Sequence, residues 1–146
     1  MITFQCKPFD QLSTMELYEV LHLRDLVFVV GQEITAEPEV DGADPGFHHL
    51  VGRDEAGRVI ATARLTLGRE PVRVGRVAVH PDRQRSGTGT ALMVEVQRLL
   101  GARAAVLNAQ AHLEPWYARL GWRREGGAFL EAGIEHVRMV WPNARG

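Results

Sequence analysis

Hydrophobic and polar positions change period several times along this chain, and each change marks a predicted element. Ile2, Phe4 and Cys6 alternate with polar residues, which reads as a first strand over Ile2–Lys7 ended by Pro8. Ser13 followed by Glu16 has the spacing of a capping box, and Leu17, Val20, Leu21 and Leu23 follow at helical spacing. A helix is predicted from Ser13 to Val29, with Val27–Val30 as a buried end and Gly31 as its stop. Gly31 to Gly46 has no period. It carries Glu33, Glu37, Glu39, Asp41 and Asp44 among Pro38, Gly42 and Pro45, and reads either as a solvated acidic loop or as a binding lid. His48–Arg53, Val59–Leu67 and Val72–Val79 then read as strands joined by short turns, an antiparallel meander.

His80-Pro81-Asp82 stops the third of these strands, and the segment Gln84-Arg85-Ser86-Gly87-Thr88-Gly89 turns into a helix running to Leu100. Leu92, Met93, Val96, Leu99 and Leu100 share one face of it, and Gly101 caps it. Ala104–Asn108 is a short apolar strand; because a helix separates it from Val74–Val79, the two are expected to be parallel. A short helix over Leu113–Leu120 ends at Gly121, and Trp122–Glu125 and His136–Trp141 close the pattern as strands. The tail Asn143–Gly146 is expected to be disordered. The order β-α-loop-β-β-β-α-β-α-β-β predicts an α/β (α+β) fold with a mixed sheet and one parallel crossover, in a single domain over 1–146.

Composition narrows the chemistry. A formal net charge of −1 argues against a nucleic-acid partner held by counterion release. Cys6 is the single cysteine, so an internal disulfide and a thiolate metal site are both excluded. There is no apolar run of membrane-spanning length and no leader pattern, so a soluble, cytoplasmic protein without a membrane partner is expected.

The glycine turn after Val72–Val79 is the strongest motif. Small residues at a helix start let a ligand reach unpaired backbone N–H groups, and these with the helix dipole favour an anion. A P-loop needs a lysine followed by Ser/Thr, which is absent, and a dinucleotide fingerprint needs glycine where Leu92 stands. The pattern Gln/Arg-x-x-Gly-x-Gly/Ala is matched by Gln84, Gly87 and Gly89. With V-A-V-H-P-D before it and W-Y-A-R-L-G-W after it, the chain resembles the GNAT acyltransferase superfamily over nearly its whole length. Leu23-Arg24, Val27–Val30, Gln32, Glu39, Asp41, Asp44, His49, Gly75-Arg76-Val77 and the ending G-I-E-H-V-R-M resemble the ElaA-like branch. That branch usually has glutamate where this chain has Gly31, a carboxylate either lost here or supplied by Glu33; Arg85 stands where many members have glycine.

The resemblance implies a GNAT fold: a mostly antiparallel sheet with helices on both faces and a splayed parallel strand pair at the coenzyme A site. It implies acetyl-CoA as acyl donor, no metal, and direct transfer to a primary amine of a small molecule or peptide; a homodimer is left open. A non-catalytic acyl-CoA-binding module of the same fold is the alternative, with Gly31 as its best support, and a nucleotide-phosphate binder of another kind is a third reading. By resemblance, Arg85, Ser86, Gly87, Thr88, Gly89 and Thr90 cradle the pyrophosphate with Gln84. Val77, Ala78 and Val79 pair with the pantetheine arm, and the Val79 N–H serves as oxyanion donor. Asn108 and Gln110 are candidates for contacts to the arm. Tyr117 is the expected general acid for the departing thiolate; the other reading is a core aromatic beside Trp116, since adjacent helical residues point different ways. Candidates for the base are Glu33, Glu37, Glu39, Asp41, His48 and His49, with Glu39 carried forward. Arg64 and Arg76 suit ion pairs with the loop carboxylates, and His112 and His136 read as structural.

Overall fold

A computed structural model of the protein describes residues 1–142, and the expected disorder of Asn143–Gly146 lies outside the described residues. Strands β1 (Thr3–Pro8), β2 (His48–Arg53), β3 (Val59–Leu65), β4 (Val72–Val79), β5 (Ala105–Gln110), β6 (Arg123–Arg124), β7 (Phe129–Glu131) and β8 (Ile134–Trp141) form one sheet. Their order is β1-β2-β3-β4-β5-β8-β6, and β7 also pairs with β8. Every pairing is antiparallel except β4 with β5, where helix α2 (Thr88–Leu100) makes the expected crossover.

The sheet divides two apolar clusters. On one face Leu92, Met93, Val96 and Leu100 of α2 pack with Tyr117 and Trp122 against Leu65, Val74, Leu107, Ala109, Val137 and Met139. On the other, Val20 and Leu23 of helix α1 (Thr14–Arg24) pack with Val27 against Val51, Val59 and Ala78. Side chains alternate along a strand, so Asn108, Gln110 and His136 lie on the α1 face, between or beside residues committed to the α2 face.

The predicted capping box is present: Ser13 Oγ accepts the Glu16 N–H at 3.0 Å, and Glu16 Oε1 accepts the Ser13 N–H at 3.0 Å. Beyond Arg24 the helix continues as a wider π-wound segment, Asp25–Gly31, with the Gln32 N–H donating to Val27 O at 3.1 Å. The predicted helix therefore reaches its expected end, but of Val27–Val30, expected to be buried, only Val27 is so and Val30 is 64% exposed, and the crowded run is wound in the form that recurs beside functional sites.

Two local devices set up the centre of the sheet. Thr62 faces Ala78 while Arg64 faces Gly75, so β4 holds one more residue than β3 across this interval, with Arg76 in the left-handed region at φ 48°. The parallel pairing of β4 with β5 runs only from Val72↔Ala105 to Val74↔Leu107, and past the bulge the strands part. Helix α3 (Glu114–Arg119) ends in a Schellman turn: the Trp122 N–H donates to Tyr117 O at 3.1 Å and the Gly121 N–H to Ala118 O at 3.0 Å. Gly121 has φ 107°, and a Cβ there would stand 2.7 Å from the Trp141 ring, so this turn needs glycine on two counts.

Strand β7 is absent from the sequence reading. It forms a tight hairpin with β8 through Ala132 and Gly133, both at positive φ (51° and 79°). Ala132-Gly133 reads in the sequence as punctuation before the last strand; the three residues Phe129–Glu131 are too short a run to show a strand period of their own. No helix among the described residues is long and apolar enough to cross a membrane.

Candidate active site

The parting of β4 and β5 opens a cleft of about 820 Å³ between the two faces of the sheet. The His80 N–H donates to Ile60 O at 2.8 Å. Alternate groups of an extended strand point opposite ways, so the N–H and C=O of Val79 point away from β3 and into the wedge, as do those of Val77 two residues back. Gln84 Nε2 donates to Val79 O at 3.2 Å, closing the turn over the strand end and leaving the Val79 N–H for a ligand. Val77 lies nearer the vertex of the wedge than Val79 does.

The glycine turn sits at the open end. Gly87 caps α2 in the left-handed region at φ 84°, and Arg85 adopts the same region at φ 65°. Glycine takes that conformation without strain and arginine does not. Gln84, Arg85, Gly87, Gly89 and Thr90 line the cleft. Ser86 and Thr88 stand behind it: Ser86 Oγ bonds Arg83 O and Thr88 Oγ1, and Thr88 is buried. Ala78 also lies off the lining, its backbone paired with Thr62 and its methyl in the α1-side cluster.

Tyr117 lines the cleft from the α2 face at 5% exposure. Burial pushes its phenol above the ordinary range, so the hydroxyl stays protonated at neutral pH and serves as a donor. Trp116 and Tyr117 do not diverge as their adjacency suggested. Their rings meet edge to face at 4.8 Å and both line the cleft, because two large rings from one short helix reach the same opening.

Most of the acidic loop is exposed, but three of its carboxylates, Glu39, Asp41 and Asp44, are held by arginines. Arg24, 1% exposed, donates from Nε to Glu39 Oε2 at 2.8 Å and from Nη1 to Asp44 Oδ1 at 2.8 Å. Arg64 reaches Asp44 Oδ1 at 2.9 Å and Asp41 Oδ2 at 2.8 Å, and its guanidinium lies 4.4 Å over the Phe47 ring. Arg76, projecting from the bulge, donates to Glu39 Oε2 at 2.7 Å and to Glu39 O at 3.0 Å. Hydrogen bonding from Arg64 holds the Asp41 carboxyl well below the usual range. Burial pushes Asp44 upward, but the Arg24 and Arg64 guanidiniums outweigh it and the net displacement is down. The ion pairs expected of Arg64 and Arg76 are thus present, within a larger brace that also holds Arg24.

This brace changes how the base candidates look. Glu39 reaches the cleft wall, but its Oε2 is already taken by hydrogen bonds from both the Arg24 and Arg76 guanidiniums. Glu33 is exposed at φ 55° and off the lining, so it does not stand in for the carboxylate missing at Gly31. Asp41 is committed to Arg64. His49 is buried with Nε2 3.0 Å from Asp44 O, and burial lowers its pKa; His48 points to the opposite face. Asn108 donates to Glu131 Oε1 at 3.0 Å, and Gln110 exchanges two amide bonds with Gln32 at 2.9 and 3.3 Å, tying β5 to the end of the π-wound segment. Glu131, which the sequence did not single out, lies on the lining, and so do His112 and His136, both read there as structural.

Comparison with known proteins accords with this geometry. The acetyltransferase (GNAT) domain family matches residues 32–142. A UPF0039 protein of Schizosaccharomyces pombe is 38% identical over 144 residues, covering 94% of this chain and 95% of that protein. Among solved structures, an acyl-CoA N-acyltransferase from Pseudomonas aeruginosa superposes with a TM-score of 0.85 at 34% identity, covering 96% of this chain and 99% of that one. Escherichia coli ElaA gives 0.84 at 30% identity, with the same shares covered.

Proposed function

We propose that this chain, which belongs to the GNAT acetyltransferase family, transfers an acetyl group directly from acetyl-CoA to a primary amine. The observation that carries the reading is the wedge itself: two inward-facing N–H groups on β4, at Val77 and Val79, beside the N-terminus of α2. A strand edge left without its neighbour suits an amide-bearing arm, and the helix start suits a pyrophosphate. The bound donor would supply an activated acyl thioester. Val77 and Val79 N–H groups then stabilise charge developing on its carbonyl oxygen, with Val79 the donor first expected and Val77 nearer the vertex. Tyr117 gives its proton to the leaving sulfur. Asn108 and Gln110 border the arm, and Glu39, braced by Arg24 and Arg76, shapes the acceptor side. Glu37 and Glu131, the lining carboxylates not bonded by an arginine, would suit a cationic acceptor, while Arg76, Arg85 and Arg119 line the same cleft.

The test pairs binding with turnover. CoA raises the unfolding temperature, by about 2.7 kcal/mol of added stability at a hundredfold excess over Kd, while ATP and NAD do not. Acetyl-CoA with a panel of primary amines then releases free CoA. Stabilisation without release would leave a CoA-binding module; stabilisation by ATP or NAD alone would remove the reading.

Arg85 gives a second check. In Arg85→Gly, relief of left-handed strain, about 1 kcal/mol, is nearly offset by the chain entropy glycine adds, about 0.5–1 kcal/mol. Stability without ligand stays within about 1 kcal/mol of the parent, whereas CoA affinity falls several-fold as a phosphate-facing guanidinium is lost. Unchanged affinity in a calorimetric titration would take Arg85 out of the cradle.

A further inference from the structure

Of the expected base candidates Glu37 and Glu39 reach the cleft wall, Glu39 with its Oε2 bonded by two guanidiniums, and the wall also holds a histidine read from the sequence as structural. His136 is 7% exposed on β8, directly opposite Gln110 of β5, and lines the cleft. Its Nδ1 lies 2.7 Å from Ile134 O. A carbonyl only accepts, so Nδ1 carries the proton of the neutral ring and Nε2 keeps its lone pair. Phe129 stacks on the ring at 26° and 6.1 Å between centroids, which fixes its plane. Nε2 stands 3.7 Å from Glu131 Oε2, and the other oxygen of Glu131 is held by Asn108 at 3.0 Å. In this tautomer Nε2 and Glu131 Oε2 are both acceptors 3.7 Å apart, so a proton arriving at Nε2 would be met by the carboxylate.

Placement relative to Tyr117 makes the case. Tyr117 belongs to the cluster on the α2 face, whereas His136 belongs to the α1 face, because its neighbour Val137 is committed to the other side. The wedge joins the two faces, so one proton can be given on the side where sulfur leaves and another taken on the side where the amine arrives.

We propose that His136 Nε2 is the general base, with Glu131 stabilising the imidazolium; this rests on the transferase reading above. The amine nitrogen attacks the thioester carbon, the C–N bond forms and the C–S bond breaks. The amine proton passes to His136 Nε2, the sulfur takes the Tyr117 proton, and solvent returns both residues to their starting states. Glu131 from β7 is the charged group facing the ring. Glu37 and Glu39 of the loop, Arg76 of β4, and His112 and Arg119 at the α3 side line the same cleft.

His136→Asn keeps an amide able to donate to Ile134 O and removes the Nε2 lone pair; His136→Gln is the second variant. CoA release from acetyl-CoA is followed against lysine, spermidine and phenethylamine from pH 5.5 to 10, on the full chain, with CoA affinity as the control for folding. With CoA affinity kept, kcat/KM at neutral pH falls by about 10²-fold or more. The loss shrinks as the pH approaches the amine's own pKa, and added imidazole restores part of the rate. Histidine-ring ¹⁵N spectra, assigned against the Asn variant, show the Nδ1–H tautomer for His136. An Nε2–H tautomer overturns the proposal whatever the kinetics, and so does a variant matching a parent that turns over. A parent that releases no CoA with any amine sinks the transferase reading, and this proposal with it.

Discussion

Tyr117→Phe is expected to lower kcat for acyl transfer by about 10²- to 10⁴-fold, with little change in CoA affinity or fold. The phenol is buried in the α2-side cluster with its ring edge-on to Trp116 and Trp122, and phenylalanine keeps that packing. What is lost is one donor, held protonated by burial, on the side where the thiolate must leave. Because the role is protonation of a leaving group, poorer leaving thiols should suffer more than better ones. Steady-state rates with acetyl-CoA and a truncated acetyl thioester of higher thiol pKa give that comparison; a Phe variant at parental kcat would make Tyr117 a packing residue alone. This signature differs from that of His136, where the loss depends on the amine and its pKa.

Arg24→Ala carries the largest expected cost in stability. Arg24 is 1% exposed and bonds the carboxylates of Glu39 and Asp44, so its removal leaves each with one guanidinium in place of two, Arg76 on Glu39 and Arg64 on Asp44. A buried charge left wholly uncompensated costs about 3–5 kcal/mol; the guanidiniums that remain put the expected cost near the low end, about 3 kcal/mol, still well beyond what an exposed pair contributes. Urea unfolding of the parent and variant measures it directly; a difference below about 1 kcal/mol would mean that the brace relaxes into solvent. The acid limb gives a second reading. Asp41 and Asp44 are held below the ordinary carboxylate range, so their contribution is complete above about pH 4 and is lost as pH falls through their lower folded values. The variant has already lost the Arg24 share of that contribution, and its stability should fall less steeply in acid.

What could be read from the chain beforehand was what is local. The strand–turn–helix from Val72 to Leu100, the Ser13–Glu16 cap and the Gly121 turn each declare themselves within a few residues, because backbone sterics and capping act over that range. Tyr117 was legible for the same reason, lying a fixed distance before that glycine. The brace was only partly legible: Arg24 and Asp44 are 20 residues apart and Arg76 and Glu39 are 37, so carboxylates that read as a solvated loop or a lid are held by guanidiniums from α1 and two strands. His136 was dismissed because a lone histidine on a strand is usually structural. Its Ile134, Phe129 and Glu131 partners come from a hairpin whose first strand is only three residues long, and without that hairpin nothing orients the ring.

The extra residue in β4 acts on parity as well as on spacing. Val72 and Val74 belong to the α2-side core, and without the bulge Ala78 would follow them; it belongs instead to the α1-side cluster, while Val77 packs toward α2. The strand exchanges inside for outside at Arg76, in mid-run. Deleting that one residue would therefore do more than remove a guanidinium. It would restore the uninterrupted alternation and let the strand pair straight on toward β5. Val77 and Val79 would keep the sides they now face, so the opening depends on a residue count, whichever side chain occupies position 76.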